Sequence, residues 1–180
     1  MTAVFDCFPL LSAAIALPIA YATREPLSVG RAPPQFVLPD ETGTEHRLTD
    51  YRGQWVLLYF YPKDDTPGCT REACQFRDHM VDLKHAGLVV FGVSLDDRAR
   101  HARFSRKLAL PFPLLSDIGG EVARAYGALA GFGLVRFARR QSFLIAPDGT
   151  LAKIYRKVNP DRHTDEVLQD LAQLTSAEQN

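Results

Sequence analysis

The chain carries no excess of charge. Lys and Arg together number 21, as do Asp and Glu, giving a formal net charge of zero at pH 7. Nucleic-acid binding, which needs a basic excess or stripe, therefore has no electrostatic footing. Cysteine is also scarce: Cys7, Cys69 and Cys74 form no Cys-x-x-Cys pair, and the five histidines stand apart in the sequence. That argues against a zinc site and against the usual dithiol signature of a disulfide oxidoreductase. His163, near the last helix, reads as a surface or capping residue rather than a metal ligand. No apolar run reaches the about 20 residues that a membrane-spanning helix needs, and no internal repeat is present.

What is there is ordinary for one globular domain. Of the 180 residues, 46% are hydrophobic and 23% charged, enough to close a full core. The N-terminus departs from this uniformity. Cys7 to Ala22 is nearly uncharged and ends in Ala20-Tyr21-Ala22, a pattern of the kind signal peptidase cuts. The segment before it holds Asp6 and no Lys or Arg, so the positive start of a signal peptide is missing, and Pro9 and Pro18 weaken any spanning helix. A cleaved export signal and a nonnative upstream extension both fit residues 1–28 as a leader. Removal of that leader would leave two cysteines.

The remainder alternates strands and helices. Gln35 to Pro39 and His46 to Thr49 read as a hairpin around Glu41-Thr42-Gly43. Leu88 to Ser94 is a buried strand, and Asp96 and Asp97 can cap a helix from Arg98 to Leu108 with Phe104 and Leu108 on one face. A short helix at Glu121 to Tyr126 follows. Strands at Ser142 to Ala146 and Leu151 to Arg156 are joined by Pro147-Asp148-Gly149-Thr150, and Asp165 to Leu174 forms a last amphipathic helix. This order specifies an α/β fold.

The most informative stretch lies between the first buried strand and its helix. Val56-Leu57-Leu58-Tyr59-Phe60-Tyr61 is a continuous apolar and aromatic run, as expected of a strand covered on both faces, and Pro62 stops it. Tyr59 and Phe60 are expected to wall a pocket. Thr66 then reads as an N-cap and Pro67 as the first helical residue, because threonine can accept from a free backbone N–H and proline needs no partner there. The helix is expected to run to about His85 and stop at Gly87. Cys69 falls in its first turn, where unpaired N–H groups and the positive end of the macrodipole favour an anion. Thiolate is the nucleophilic form of cysteine, so Cys69 is a candidate nucleophile.

Cys74 follows by five residues. On an unbroken helix that is a displacement of about 7.5 Å along the axis and about 140° around it. Bridged cysteines seldom have Cα atoms more than about 7 Å apart, so a Cys69–Cys74 disulfide requires the helix start to unwind. Cys74 reads either as the partner of Cys69 or as a small hydrophobe on an amphipathic helix.

This stretch resembles the active-site motif of the peroxiredoxins, and within them the PrxQ or bacterioferritin-comigratory-protein group of thioredoxin-dependent thiol peroxidases. The family pattern Pro-x-x-x-Thr-x-x-Cys is met by Pro62, Thr66 and Cys69, the glutamate that follows by Glu72, and the resolving cysteine of many PrxQ members by Cys74. The resemblance runs from about Val29 to Leu174 through Gly30-Arg31-Ala32-Pro33-Pro34-Gln35-Phe36, Gly92-Val93-Ser94-Leu95-Asp96, Leu114-Leu115-Ser116-Asp117 and Ser142-Phe143-Leu144-Ile145. Two departures stand out: residues 128–139 are less polar than the loop that usually precedes the family arginine, and Ala146 stands where many relatives have aspartate.

The resemblance implies a thioredoxin-like fold over residues 29–180, with a central mixed β-sheet flanked by helices. It implies that Cys69 is peroxidatic and Cys74 resolving, and that Arg140, three residues before Phe143, is the family arginine. Read without the family pattern, Arg136, Arg139 and Arg140 form a solvated basic cluster. With it, Arg140 can donate to both peroxide oxygens, Glu72 can hold Arg140, and Pro62, Thr66 and Gly68 complete the substrate site. The Thr66 hydroxyl can cap the helix or bond the sulfur or the peroxide. The expected reaction is reduction of hydrogen peroxide or an alkyl hydroperoxide, with thioredoxin or a similar dithiol protein as reductant and with no metal or organic cofactor. The expected state is a monomer, with a weak dimer as the alternative, in the cytoplasm, or in the periplasm if the leader is a cleaved signal. Two other classes stay open, a thiol-disulfide oxidoreductase and a noncatalytic redox-binding module of the same fold.

Overall fold

The computed structural model describes residues 26–133 and 135–178. The apolar leader to Ala22, with Cys7, lies outside the described residues. In chain order the elements are β1 (Val37–Pro39), β2 (Glu45–Arg47), a 3-10 turn at Leu48–Tyr51, β3 (Trp55–Phe60), α1 (Pro67–Asp78), α2 (Met80–His85), β4 (Leu88–Ser94), α3 (Arg98–Leu108), β5 (Leu114–Ser116), α4 (Glu121–Ala125), β6 (Leu129–Phe132), β7 (Val135–Ala138), β8 (Gln141–Ile145), β9 (Leu151–Tyr155) and α5 (His163–Glu178).

Five strands form the central sheet in the order β5-β4-β3-β8-β9. β4 runs parallel to β3 and to β5, whereas β8 runs antiparallel to both β3 and β9, so the sheet is mixed. Every residue of β3 is buried, which accounts for its unbroken apolar sequence at the centre of the sheet. Successive side chains of a strand point to opposite faces. Trp55, Leu57, Tyr59 and, beyond the strand, Tyr61 pack with Cys69 and Phe76 of α1, Phe104 of α3, and Val167 and Leu171 of α5. Val56, Leu58 and Phe60 pack with Leu38, Leu48, Ala123 and Phe143 on the other face. Tyr59 thus shares the Cys69 face as expected, but Phe60 does not wall that pocket, because the strand period turns it away.

The structure also revises several element boundaries. The helix expected to run to about His85 is broken at His79, whose ring Nδ1 lies 2.9 Å from the Gln75 carbonyl that also receives the His79 N–H. β5 is only three residues long, too short to read by periodicity, and is placed by its pairing with Gly92, Val93 and Ser94. β6 and β7 pair antiparallel, Leu129 opposite Ala138 and Phe132 opposite Val135, with Phe132 92% exposed. α5 starts at His163, two residues before the expected Asp165. His163 is therefore not a surface residue: its ring is fully buried, its Nε2 lies 2.8 Å from Ser142 Oγ, and it packs edge-on to Phe76 and Tyr155.

Candidate active site

β3 delivers the chain to the site, and the antiparallel β8 brings back its cation. Phe60 at the end of β3 pairs with Gln141 at the start of β8, so Arg140 lies beside the point where the chain leaves the sheet toward α1. The connecting loop, Pro62 to Thr66, is held from below by buried groups. Asp64, 1% exposed, accepts from Tyr61 Oη at 2.7 Å and lies 2.8 Å from His101 Nδ1. Asp65 adopts φ +61°, a left-handed conformation that aspartate tolerates better than most residues.

Thr66 occupies the N-cap position of α1 and Pro67 the first helical one, but the threonine hydroxyl does not cap the helix. It donates instead to the Lys63 carbonyl at 2.9 Å. Its single proton is thereby engaged, and toward a ligand it offers lone pairs only. The first intrahelical bond runs from Thr70 N to Thr66 O, which leaves the amides of Gly68 and Cys69 ahead of it with no side-chain cap.

Cys69 is 2% exposed, and its sulfur accepts from Arg140 Nη2 at 3.2 Å. Arg140 Nη1 donates to Glu72 Oε2, one turn further along α1. A Cβ at position 68 would stand 3.2 Å from Arg140 Nη2, so glycine leaves room for the guanidinium to lie against the helix start. Glu72 is fully buried, and burial raises its carboxyl to about 7 against the opposing pull of Arg140. Burial works against the charge of Arg140, yet Glu72 and Cys69 more than offset it and raise the guanidinium above its ordinary value. The Tyr59 hydroxyl is raised well above the ordinary phenol value, first by burial and then by the charges of Glu72 and Cys69, so it stays protonated beneath the site. Burial, with Arg140 adding repulsion, lowers His163 to about 4 and keeps its imidazole neutral at pH 7.

The sequence-derived residues Gly68, Cys69, Glu72 and Arg140 thus meet directly. Cys74 does not join them. Both cysteines are free thiols on the unbroken helix α1, Cys69 buried and Cys74 half-buried five residues on. Pro62 lines an open groove of about 430 Å³ with Lys63, Leu95, Asp96, Val135, Arg136 and Phe137. Asp64 and His101 escaped the sequence reading, although a signal for one was present: His101, Phe104, Ser105 and Leu108 are spaced as one helical face. Among the described residues no group of three or more His, Cys, Asp or Glu is arranged to hold a metal ion, and no helix is long and apolar enough to cross a membrane.

Residues 29–154 match the AhpC/TSA family. The chain is 43% identical over 147 residues to chloroplastic peroxiredoxin Q of Gentiana triflora, covering 81% of this chain and 67% of that protein. It is 44% identical over 146 residues to the bcp peroxiredoxin of Coxiella burnetii, covering 79% and 97% respectively. The solved bacterioferritin comigratory protein of Xanthomonas campestris superposes with a TM-score of 0.73 at 34% identity, covering 77% of this chain and 90% of that one.

Proposed function

We propose, from the premise that this chain belongs to the AhpC/TSA family and is a thiol peroxidase of the peroxiredoxin Q group with its thioredoxin-like fold, that Cys69 is the residue through which it reduces peroxides. The observation that carries the assignment is the Arg140 guanidinium, which donates to Cys69 Sγ at 3.2 Å while its other nitrogen is held by Glu72. A fixed cation on the sulfur remains in place as charge moves to the leaving oxygen.

The Cys69 thiolate attacks the nearer oxygen of the hydroperoxide. An S–O bond forms as the O–O bond breaks, the sulfur keeps the attacked OH as sulfenic acid, and the departing hydroxide or alkoxide takes a proton from solvent to become water or alcohol. Arg140 and the amides of Gly68 and Cys69 stabilise that departing anion. Thr66, whose proton is spent on Lys63, receives the hydroperoxide O–H and orients it. The Xanthomonas campestris relative reduces alkyl peroxides, and the same class of substrate is assigned here. The first turn of α1 then unwinds, Cys74 sulfur displaces water from the sulfenic acid, and a dithiol protein, thioredoxin by this assignment, restores both thiols by exchange. The catalytic unit is residues 29–180, acting as a monomer.

Peroxide consumption coupled to thioredoxin, thioredoxin reductase and NADPH tests this reading. Turnover that disappears in Cys69→Ser supports it; turnover that survives the substitution overturns it. Disulfide exchange without peroxide consumption would identify an oxidoreductase instead. The same assay on a chain starting at Thr23 tests whether the leader is dispensable.

A further inference from the structure

We propose that His101, acting through Asp64, is a positioning residue that sets how readily the first turn of α1 unwinds, and hence how the Cys69 sulfenic acid divides between Cys74 and a second peroxide. The inference rests on the reading of Cys69 and Cys74 given above.

The loop before Cys69 is gripped from one side by α3 and the residues leading into it. Asp64 Oδ2 lies 2.8 Å from His101 Nδ1, and Asp64 Oδ1 accepts from Tyr61 Oη at 2.7 Å. One hydrogen bond thus joins Asp64 to His101, and a second joins Asp64 to Tyr61. The Asp64 backbone is held at both ends, its N–H by Asp96 Oδ2 at 2.8 Å and its carbonyl by Arg100 Nη2 at 3.1 Å. Asp96 is fixed in turn by Ser94 Oγ at the end of β4, 2.9 Å away. Lys107 reaches Asp65 at 2.9 Å, but that pair is exposed and contributes little. The side chains of Asp64 and His101 are fully buried, and among the described residues His101 Nε2 has no hydrogen-bond partner.

A buried pair of this kind needs a reason, since apolar residues would fill the same space without leaving a polar atom unpaired. Its place in the chain supplies one. Lys63, next to the pinned Asp64, presents the carbonyl that receives the Thr66 hydroxyl, and the Thr66 carbonyl receives the Thr70 N–H that opens α1. Contacts therefore run without a gap from His101 through Asp64, Lys63 and Thr66 to the turn that carries Cys69. Of these groups only Thr66 belongs to the substrate site, and His101 itself contacts Asp64 and neither Thr66 nor the sulfur, so His101 acts on the opening of the turn.

Two reactions compete for the sulfenic acid. Attack by the Cys74 thiol gives the disulfide and water, and needs the turn open. Attack by the sulfenic acid on a second hydroperoxide gives sulfinic acid and water or alcohol, and proceeds with the turn closed. A firmer grip on Asp64 lengthens the closed state and favours the second route.

The test is His101→Leu in the full chain, with His101→Asn as the conservative variant able to return an N–H to Asp64. After exposure to excess peroxide, mass spectrometry gives the ratio of sulfinic acid to disulfide at Cys69. Hydrogen exchange reports opening of residues 69–74 in the reduced protein. Loss of this buried hydrogen bond, which leaves Asp64 Oδ2 unpaired, should raise exchange in the first turn and lower the sulfinic-to-disulfide ratio by roughly tenfold in His101→Leu, with His101→Asn in between. A merely structural role would lower the melting temperature while leaving ratio and exchange at wild-type values, and that result overturns the proposal. If His101→Leu does not fold, Asp64→Asn is read in the same two ways. Failure of the wild-type protein to form any Cys69–Cys74 disulfide would count against the resolving role of Cys74, and the exchange measurement would still decide for or against the grip of His101.

Discussion

Arg140 divides its guanidinium between two groups on one helix: Nη1 donates to Glu72 Oε2 and Nη2 to Cys69 Sγ. Glu72 therefore acts on the sulfur at one remove, by fixing the plane of the fork that meets it.

Replacing Arg140 with lysine keeps the charge and removes the fork. Stopped-flow oxidation of Cys69 by peroxide should slow by about a hundredfold, the scale on which loss of one oriented donor acts on a developing anion. Unchanged oxidation would remove Arg140 from the site.

Cys74→Ser should consume one equivalent of peroxide and then stop in the presence of thioredoxin, leaving a sulfenic acid that dimedone-type reagents label. Oxidised wild-type protein should lose helix by circular dichroism, because a bridge between positions 69 and 74 cannot form on the intact α1. Full turnover in Cys74→Ser would mean that the reductant attacks the sulfenic acid directly.

Glu72 and His163 should give pH slopes of opposite sign. Burial raises Glu72 from 4.5 to about 7, so its contribution to stability is complete below 4.5 and is lost as pH rises through about 7. Wild-type protein should lose stability relative to Glu72→Gln across that window. Burial lowers His163 from 6.5 to about 4, so its contribution is complete above 6.5 and is lost as pH falls through about 4. Chemical denaturation of wild type and of His163→Gln across this range should show the second slope in the wild type alone.

Gly92 lies on β4, where a Cβ would stand 2.7 Å from both the Tyr59 hydroxyl and Leu114 Cδ2. Gly92→Ala should cost about 1–3 kcal/mol, as overpacked core substitutions do, measured as a shift in the denaturation midpoint at constant slope. A neutral result would mean that Tyr59 moves aside, and peroxide oxidation of Cys69 in the variant would then report whether that movement reaches the site.

Much of this arrangement was legible in the sequence because it rests on local rules. An apolar run ended by Pro62, a threonine before Pro67 and a cysteine two residues on place Cys69 at a helix start with no knowledge of the rest of the fold. Arg140 needed the family pattern, since no local rule tells the arginine that meets Cys69 from its neighbours Arg136 and Arg139. What escaped were contacts made across the fold. The Thr66 hydroxyl was free to cap by sequence, but the loop turns the Lys63 carbonyl toward it. His163 reads as a polar residue at a helix end until β8 supplies Ser142 as its buried partner. β5 is too short to show a period, and only its neighbour β4 makes it a strand.

The antiparallel return of β8 also sets an order of events during synthesis. Both cysteines precede Arg140 by more than sixty residues, and the guanidinium reaches sulfur only when Gln141 pairs with Phe60. A nascent chain that has emerged through α3 holds Cys69 and Cys74 without the guanidinium that meets Cys69 in the folded protein. The contact between Arg140 and Cys69 is therefore complete only after the sheet has taken its fourth strand, so this corner of the molecule assembles late, when the core around it is already closing.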